Sequence, residues 1–176
     1  MKSISSKAGL TLGIYFDIFE CFRLVLISMN VDISSSSYCN ERFTPSNVVL
    51  YDDKSKCFES RNENNSWICF DFKENRINLT DYTFRSATAN ENMSHPRNWV
   101  IEVSDDNKKR LIINEQKNCS YLRGKSLVHN FKIDNKNTKA YRYIRLRQNG
   151  VEWSNRDILF FESIEFYGFL IINNKK

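Results

Sequence analysis

Two prolines and five glycines in 176 residues exclude a collagen-like or low-complexity chain. Histidine is scarcer still: His95 and His129 are the only two. His129 falls on an apolar strand face and is expected in the core. His95 precedes Pro96 in a loop, where it is placed to touch a ligand. No C-x-x-C pair joins the cysteines, Cys21, Cys39, Cys57, Cys69 and Cys119, so no zinc framework is present. Their odd number and irregular spacing fit free thiols. A reducing, cytoplasmic location is expected, with secretion as the alternative. Sequons at Asn64, Asn78, Asn92 and Asn118 do not settle the compartment, because 21 asparagines produce several by chance.

Catalytic signatures are missing as well. No G-x-S-x-G and no H-E-x-x-H occurs. Gly124-Lys125-Ser126 ends like a phosphate-binding loop, but the glycine that motif needs five positions earlier is Cys119. No nucleophile, base and orienting acid are set together, so no enzyme and no cofactor are expected. The 26 basic and 21 acidic residues are mixed along the chain without a long basic run, so a nucleic-acid partner is not expected.

What is present is apolar and aromatic: 41% hydrophobic and 14% aromatic residues, enough for one domain with a real core. Residues 1–30 form an N-terminal extension. Its apolar stretch Leu10–Met29 is interrupted by Asp17, Glu20 and Arg23, and no cleavage-site pattern follows. A helix or strand packed on the domain is expected there. After it, short strands alternate with turns. Tyr141–Arg147 has period two, with Ile144 and Leu146 on one face and Tyr143, Arg145 and Arg147 on the other. Trp153 sits in a polar loop, WSNRD. Ile158–Tyr167 is apolar on both faces, with Ile158, Phe160, Ile164 and Phe166 on one and Leu159, Phe161 and Tyr167 on the other. Trp67–Phe72 puts Ile68, Phe70 and Phe72 on one side and Trp67, Cys69 and Asp71 on the other. In Ile77–Arg85 the register changes from Ile77/Leu79 to Tyr82/Phe84, which predicts a bulge near Thr80-Asp81. Trp99–Val103, Leu111–Asn114 and Leu127–Ile133 complete an all-β pattern. Trp67, Phe70, Trp99, Ile101, Ile144, Leu146, Ile164 and Phe166 are the expected core.

Several of these segments carry a resemblance. Val31–Tyr38 (VDISSSSY), Asn65–Phe72 (NSWICFDF), YRYIRLRQNG and the closing E-F-Y-G resemble, in order, the discoidin-type domains of the F5/8 type C family. The disulfide-free intracellular variants found beside BTB domains are the nearest in kind. Lys108-Lys109-Arg110 stands where that family usually has a tryptophan, leaving a small basic cluster. The resemblance implies a jelly-roll β-sandwich of the galactose-binding-like kind over residues 31–170, with 171–176 a polar tail. It also implies binding through loops gathered at one end: Cys39–Thr44, Asp52–Asn65 and Ser86–Arg97. Candidate binding residues on them are Arg42, Phe43, Phe58, Arg61, Asn92, His95 and Arg97, aromatics to stack and planar polar groups to bond. A protein partner is the first expectation and a galactose-type glycan the alternative. Loops without exposed Trp or Leu argue against membrane insertion. Asp52 and Asp53 are the only calcium candidates. Ser163 replaces the glutamate that some sugar-binding relatives use, so no metal is expected.

Overall fold

The computed structural model describes residues 31–50, 53, 55–89, 93–134 and 139–172. The expectations for residues 1–30, Asp52 and Asn92 lie outside them. Nine strands are described: β1 Asp32–Ser35, β2 Phe58–Glu59, β3 Trp67–Asp71, β4 Arg76–Ser86, β5 Trp99–Ser104, β6 Leu111–Gln116, β7 Val128–Lys132, β8 Tyr143–Gln148 and β9 Phe160–Ile171. They form two antiparallel sheets, β1-β3-β8-β5-β6 and β2-β9-β4-β7. Among the described residues the single helical element is a 3-10 turn, Pro45–Val49. No helix among the described residues is long and apolar enough to cross a membrane.

The core lies between the sheets, where the period-two faces meet. Ile68 and Phe70 of β3 pair with Leu146 and Ile144 of β8, and all four are fully buried. Phe70 meets Phe166 of the other sheet edge-on at 4.9 Å, and Phe84 meets Trp99 at 5.2 Å. The two aromatic polar groups in this layer are satisfied: Trp99 Nε1 donates to Tyr82 Oη at 2.9 Å, and Tyr82 donates to Asn114 Oδ1 at 2.9 Å. The expected bulge is present, as a register shift between Leu79 and Asp81 against β9. It turns both Leu79 and Tyr82 inward.

Three expectations need correction, and one element was not foreseen. Trp67 is only half-buried. It lies on the outer side of its strand with the Arg145 guanidinium 5.7 Å over its ring. The register shift between Arg85 and Ser86 changes the faces of β9, so Phe161 joins Ile164 and Phe166 in the core while Phe160 is half-buried. Pro45–Val49, for which no element was expected, is helical because proline favours a first helical turn and Asn47 holds it from within, donating to Arg42 O at 2.7 Å and Cys57 O at 2.9 Å. His129 is half-buried beneath Tyr121, with their rings parallel at 4.0 Å.

The register also fixes where the loops go. The connections after β1, β2, β4, β6 and β8 leave from one end of the sandwich, and those after β3, β5 and β7 turn at the other.

Candidate functional site

The loop end is built around one tight turn. In Glu152–Arg156 the buried Glu152 carboxylate accepts from the N–H groups of Ser154 at 2.7 Å and Arg156 at 3.0 Å, and from the Ser154 hydroxyl. Asn155 takes the left-handed conformation, φ 60°, that asparagine tolerates. This turn presents Trp153. The Trp153 backbone N–H donates to His95 O at 3.3 Å, and its indole Nε1 donates to Cys119 O at 3.1 Å. One residue thus ties together the loops after β4, β6 and β8.

Asn98 reinforces the same junction, donating to Val151 O at 2.7 Å and accepting from Asn118 N–H at 2.9 Å. Over the Trp153 ring lie two guanidinium groups, Arg97 at 4.7 Å and Arg123 at 4.5 Å from the centroid. Such contacts attract a cation to the ring face. Arg97 Nε and Nη2 both donate to Asn118 Oδ1, at 2.9 and 2.7 Å. On the loop of Arg123, Tyr121 is 62% exposed while its ring rests on His129.

The loop after β2 joins from the side. Asp157 N–H donates to Asn62 Oδ1 at 2.9 Å, and Ser60 N–H to Leu159 O at 3.0 Å. Arg61 is exposed there, its N–H on Ser37 Oγ at 3.2 Å. Arg42 is exposed on the loop after β1, and Phe43 is half-buried with its ring 6.2 Å from Phe160. The described parts of the expected loops gather at one end.

Two expected ligand contacts are removed by burial. Phe58 is 0% exposed and packs edge-on against Phe161 at 5.7 Å, because its segment forms β2 and turns the ring into the core. His95 is also 0% exposed, closed in beneath the loop junction. Of the expected set, Arg42, Phe43, Arg61 and Arg97 remain on the loop end. Sequence reading missed Tyr121, Arg123 and the part played by Trp153. The polar surroundings of Trp153 were the available signal, since a tryptophan outside any strand pattern needs another reason to be ordered.

The four described cysteines, Cys39, Cys57, Cys69 and Cys119, are free. Burial, then the charges of Glu59 and Glu162, push the Cys57 thiol up to about 11. Among the described residues no group of His, Cys, Asp and Glu is placed to hold a metal ion.

The opposite end has a cleft of about 320 Å³ lined by Asp105, Lys109, Arg110, Lys139 and Tyr141. Its Asp105 carboxylate is engaged, taking Lys139 at 2.7 Å and Arg76 at 3.3 Å.

No family model matches the chain, and no curated relative does. Solved structures of similar shape exist. A CBM32 module of Clostridium perfringens in complex with GalNAc-β-1,3-galactose has TM-score 0.62 at 11% identity, covering 85% of this chain and 100% of that one. A chitosan-binding module of a Paenibacillus chitosanase/glucanase has TM-score 0.60 at 14% identity, covering 81% and 98%. The CBM32 module of AlyQ in complex with 4,5-unsaturated mannuronic acid has TM-score 0.58 at 14% identity, covering 88% and 98%. The likeness, taken with the two antiparallel sheets, gives the chain the discoidin-type, galactose-binding-like β-sandwich fold.

Proposed function

We propose that the loop end of this sandwich binds a glycan without transforming it. The observation that carries the reading is Tyr121, an exposed ring backed by His129, on the same loop as an arginine held over Trp153. A sugar offers an apolar C–H face and a rim of hydroxyls. An aromatic ring suits the first and planar guanidinium donors suit the second. Similar structures solved with sugars bound support the reading. Catalysis is disfavoured because the two histidines, the natural general bases at neutral pH, are engaged. His95 is enclosed and His129 lies under Tyr121.

The alternative of a protein partner rests on a broad, flat patch, and no particular observation favours it over the glycan. A glycan array probed with the full chain, followed by calorimetry on the best binder, tests the proposal. Tyr121→Ala should weaken that binding by about tenfold or more while leaving the melting curve unchanged, because the ring is exposed. An array with no bound glycan sinks the reading, as does a Tyr121→Ala variant that binds as tightly as the parent.

A further inference from the structure

We propose that the glycan taken by this end is acidic, carrying carboxylate or sulfate groups that Arg97 and Arg123 receive. The inference rests on the glycan reading above and specifies its ligand class.

It begins with how the chain pairs its arginines. Glu102 takes Arg145 and Arg147, at 2.5 and 2.9 Å. Asp71 takes Arg142 at 2.7 Å, Asp105 takes Arg76, Glu152 takes Arg156 at 3.7 Å and Glu162 takes Arg85 at 3.9 Å. Arg42, Arg61, Arg97, Arg110 and Arg123 have no carboxylate partner among the described residues. Four of these five stand on the loop end, and only Arg110 is elsewhere.

Two of the four are held in place. Arg97 and Arg123 are both held against one indole ring, a neutral group that offsets neither charge. Arg97 also donates to the neutral amide oxygen of Asn118, which supplies no counter-charge. The guanidinium of Arg123 donates to no side chain among the described residues, so its fork of five N–H groups is unspent. Acidic residues are absent from both supporting segments: 93–98 is MSHPRN and 117–127 is KNCSYLRGKSL. Lys117 pairs outward with Glu115 at 3.1 Å, and Lys125 is exposed beside Arg123.

A neutral sugar would use the donors and leave both arginines without a counter-charge. A carboxylate or sulfate uses the donors in its preferred two-point geometry and supplies the counter-charge as well. Tyr121 on the same loop distinguishes this from a plain polyanion surface, because it gives the sugar ring something to stack on.

The test is calorimetric titration of the full chain with three oligosaccharides of matched length: a neutral galactan fragment, a galacturonate oligomer and a sulfated galactan fragment. Inorganic polyphosphate serves as a fourth probe. At least one acidic oligosaccharide should bind about tenfold or more tighter than the neutral one. Which of the two binds assigns the anion as carboxylate or sulfate. Arg123→Gln and Arg97→Gln should each weaken the acidic binding by about tenfold, and weaken neutral binding by distinctly less, since a neutral sugar loses a hydrogen bond but no counter-charge. Arg97→Gln also loses Asn118. The exposed Arg123 has no side-chain partner to lose, so its variant remains informative if the other unfolds. Neutral binding equal to or tighter than acidic overturns this inference and leaves the glycan reading standing. Polyphosphate bound as tightly as the acidic sugar, with no response to Tyr121→Ala, also overturns it. Failure of all three sugars to bind sinks the glycan reading and this inference with it.

Discussion

Gly168, the last residue of the E-F-Y-G segment, takes φ +155° and faces Leu79 across the β4–β9 ladder. A Cβ there would lie 2.1 Å from the carbonyl oxygen of Asn78, a backbone atom with no freedom to swing away. The same place is where the bulge between Leu79 and Asp81 brings β4 close, with Thr80 Oγ1 donating to Tyr167 O at 3.2 Å. Glycine is therefore required by close approach and by backbone conformation together. Gly168→Ala should cost about 2–4 kcal/mol, measured by chemical denaturation, combining overpacking with backbone strain. A loss under about 1 kcal/mol would show that β9 moves off the bulge freely and that the fit between the two is loose.

At the scale of the element, β8 ties the larger sheet on both of its faces. Its inward residues Ile144 and Leu146 fill the core, while Arg145 and Arg147 reach across to Glu102 on β5. Burial pushes the Glu102 carboxyl up, but hydrogen bonds and charge from the two arginines outweigh it and hold the group below its ordinary 4.5. A carboxyl held lower in the folded than in the unfolded chain adds stability above its unfolded pKa, and that stability is lost as pH falls through the folded value. Melting temperature should therefore drop as pH is lowered below about 4.5, with Asp71, likewise held low beside Arg142, losing its share from about 3.8 downward. Glu102→Gln should lower stability at neutral pH by about 2–4 kcal/mol. The figure stays at the modest end because both arginines are partly exposed. It should also flatten the acid limb of the curve. An unchanged limb would place the acid sensitivity elsewhere.

β8 was legible because it is a single-period pattern with a polar outer face. Even the bulge could be read, from the odd spacing of Leu79 and Tyr82. What escaped was set by partners distant in sequence. Trp67 sits on the outer face of β3, where the cross-strand arginine covers it, and composition alone favours burying a tryptophan. Phe160 and Phe161 exchange faces at a register shift that exists only against β4. Phe58 looked like a loop aromatic because the strand holding it is two residues long. The candidate site was half legible. Its end of the sandwich and Arg97 could be foreseen, but Tyr121 and Arg123 join it only through the meeting of three loops at Trp153.

At the scale of the molecule, the two ends of the sandwich differ in how their charges are arranged. At the end with the β5–β6 turn, Asp105 holds Lys139 and Arg76, and Asp106 Oδ1 accepts the backbone N–H groups of Lys108 and Lys109, both at 2.9 Å, so carboxylates stand among the cations there. The loop end keeps arginines without carboxylates and adds an exposed ring. Net charge is shared by both ends, so a comparison of the two must hold it constant. Lys108→Glu with Lys109→Glu, and Arg123→Glu with Lys125→Glu, change the charge of the chain by the same amount at opposite ends. All four side chains are exposed, so neither pair should disturb folding. The first pair should leave binding of an acidic oligosaccharide within about twofold, and the second should reduce it by about a hundredfold. Binding to the parent should also weaken as salt rises from about 0.05 to 0.5 M, since exposed charges are screened over that range. If reversal at Lys108 and Lys109 removes binding and reversal on the loop end does not, the partner is an acidic surface or polyanion held at the β5–β6 end, and the loop end is not the site.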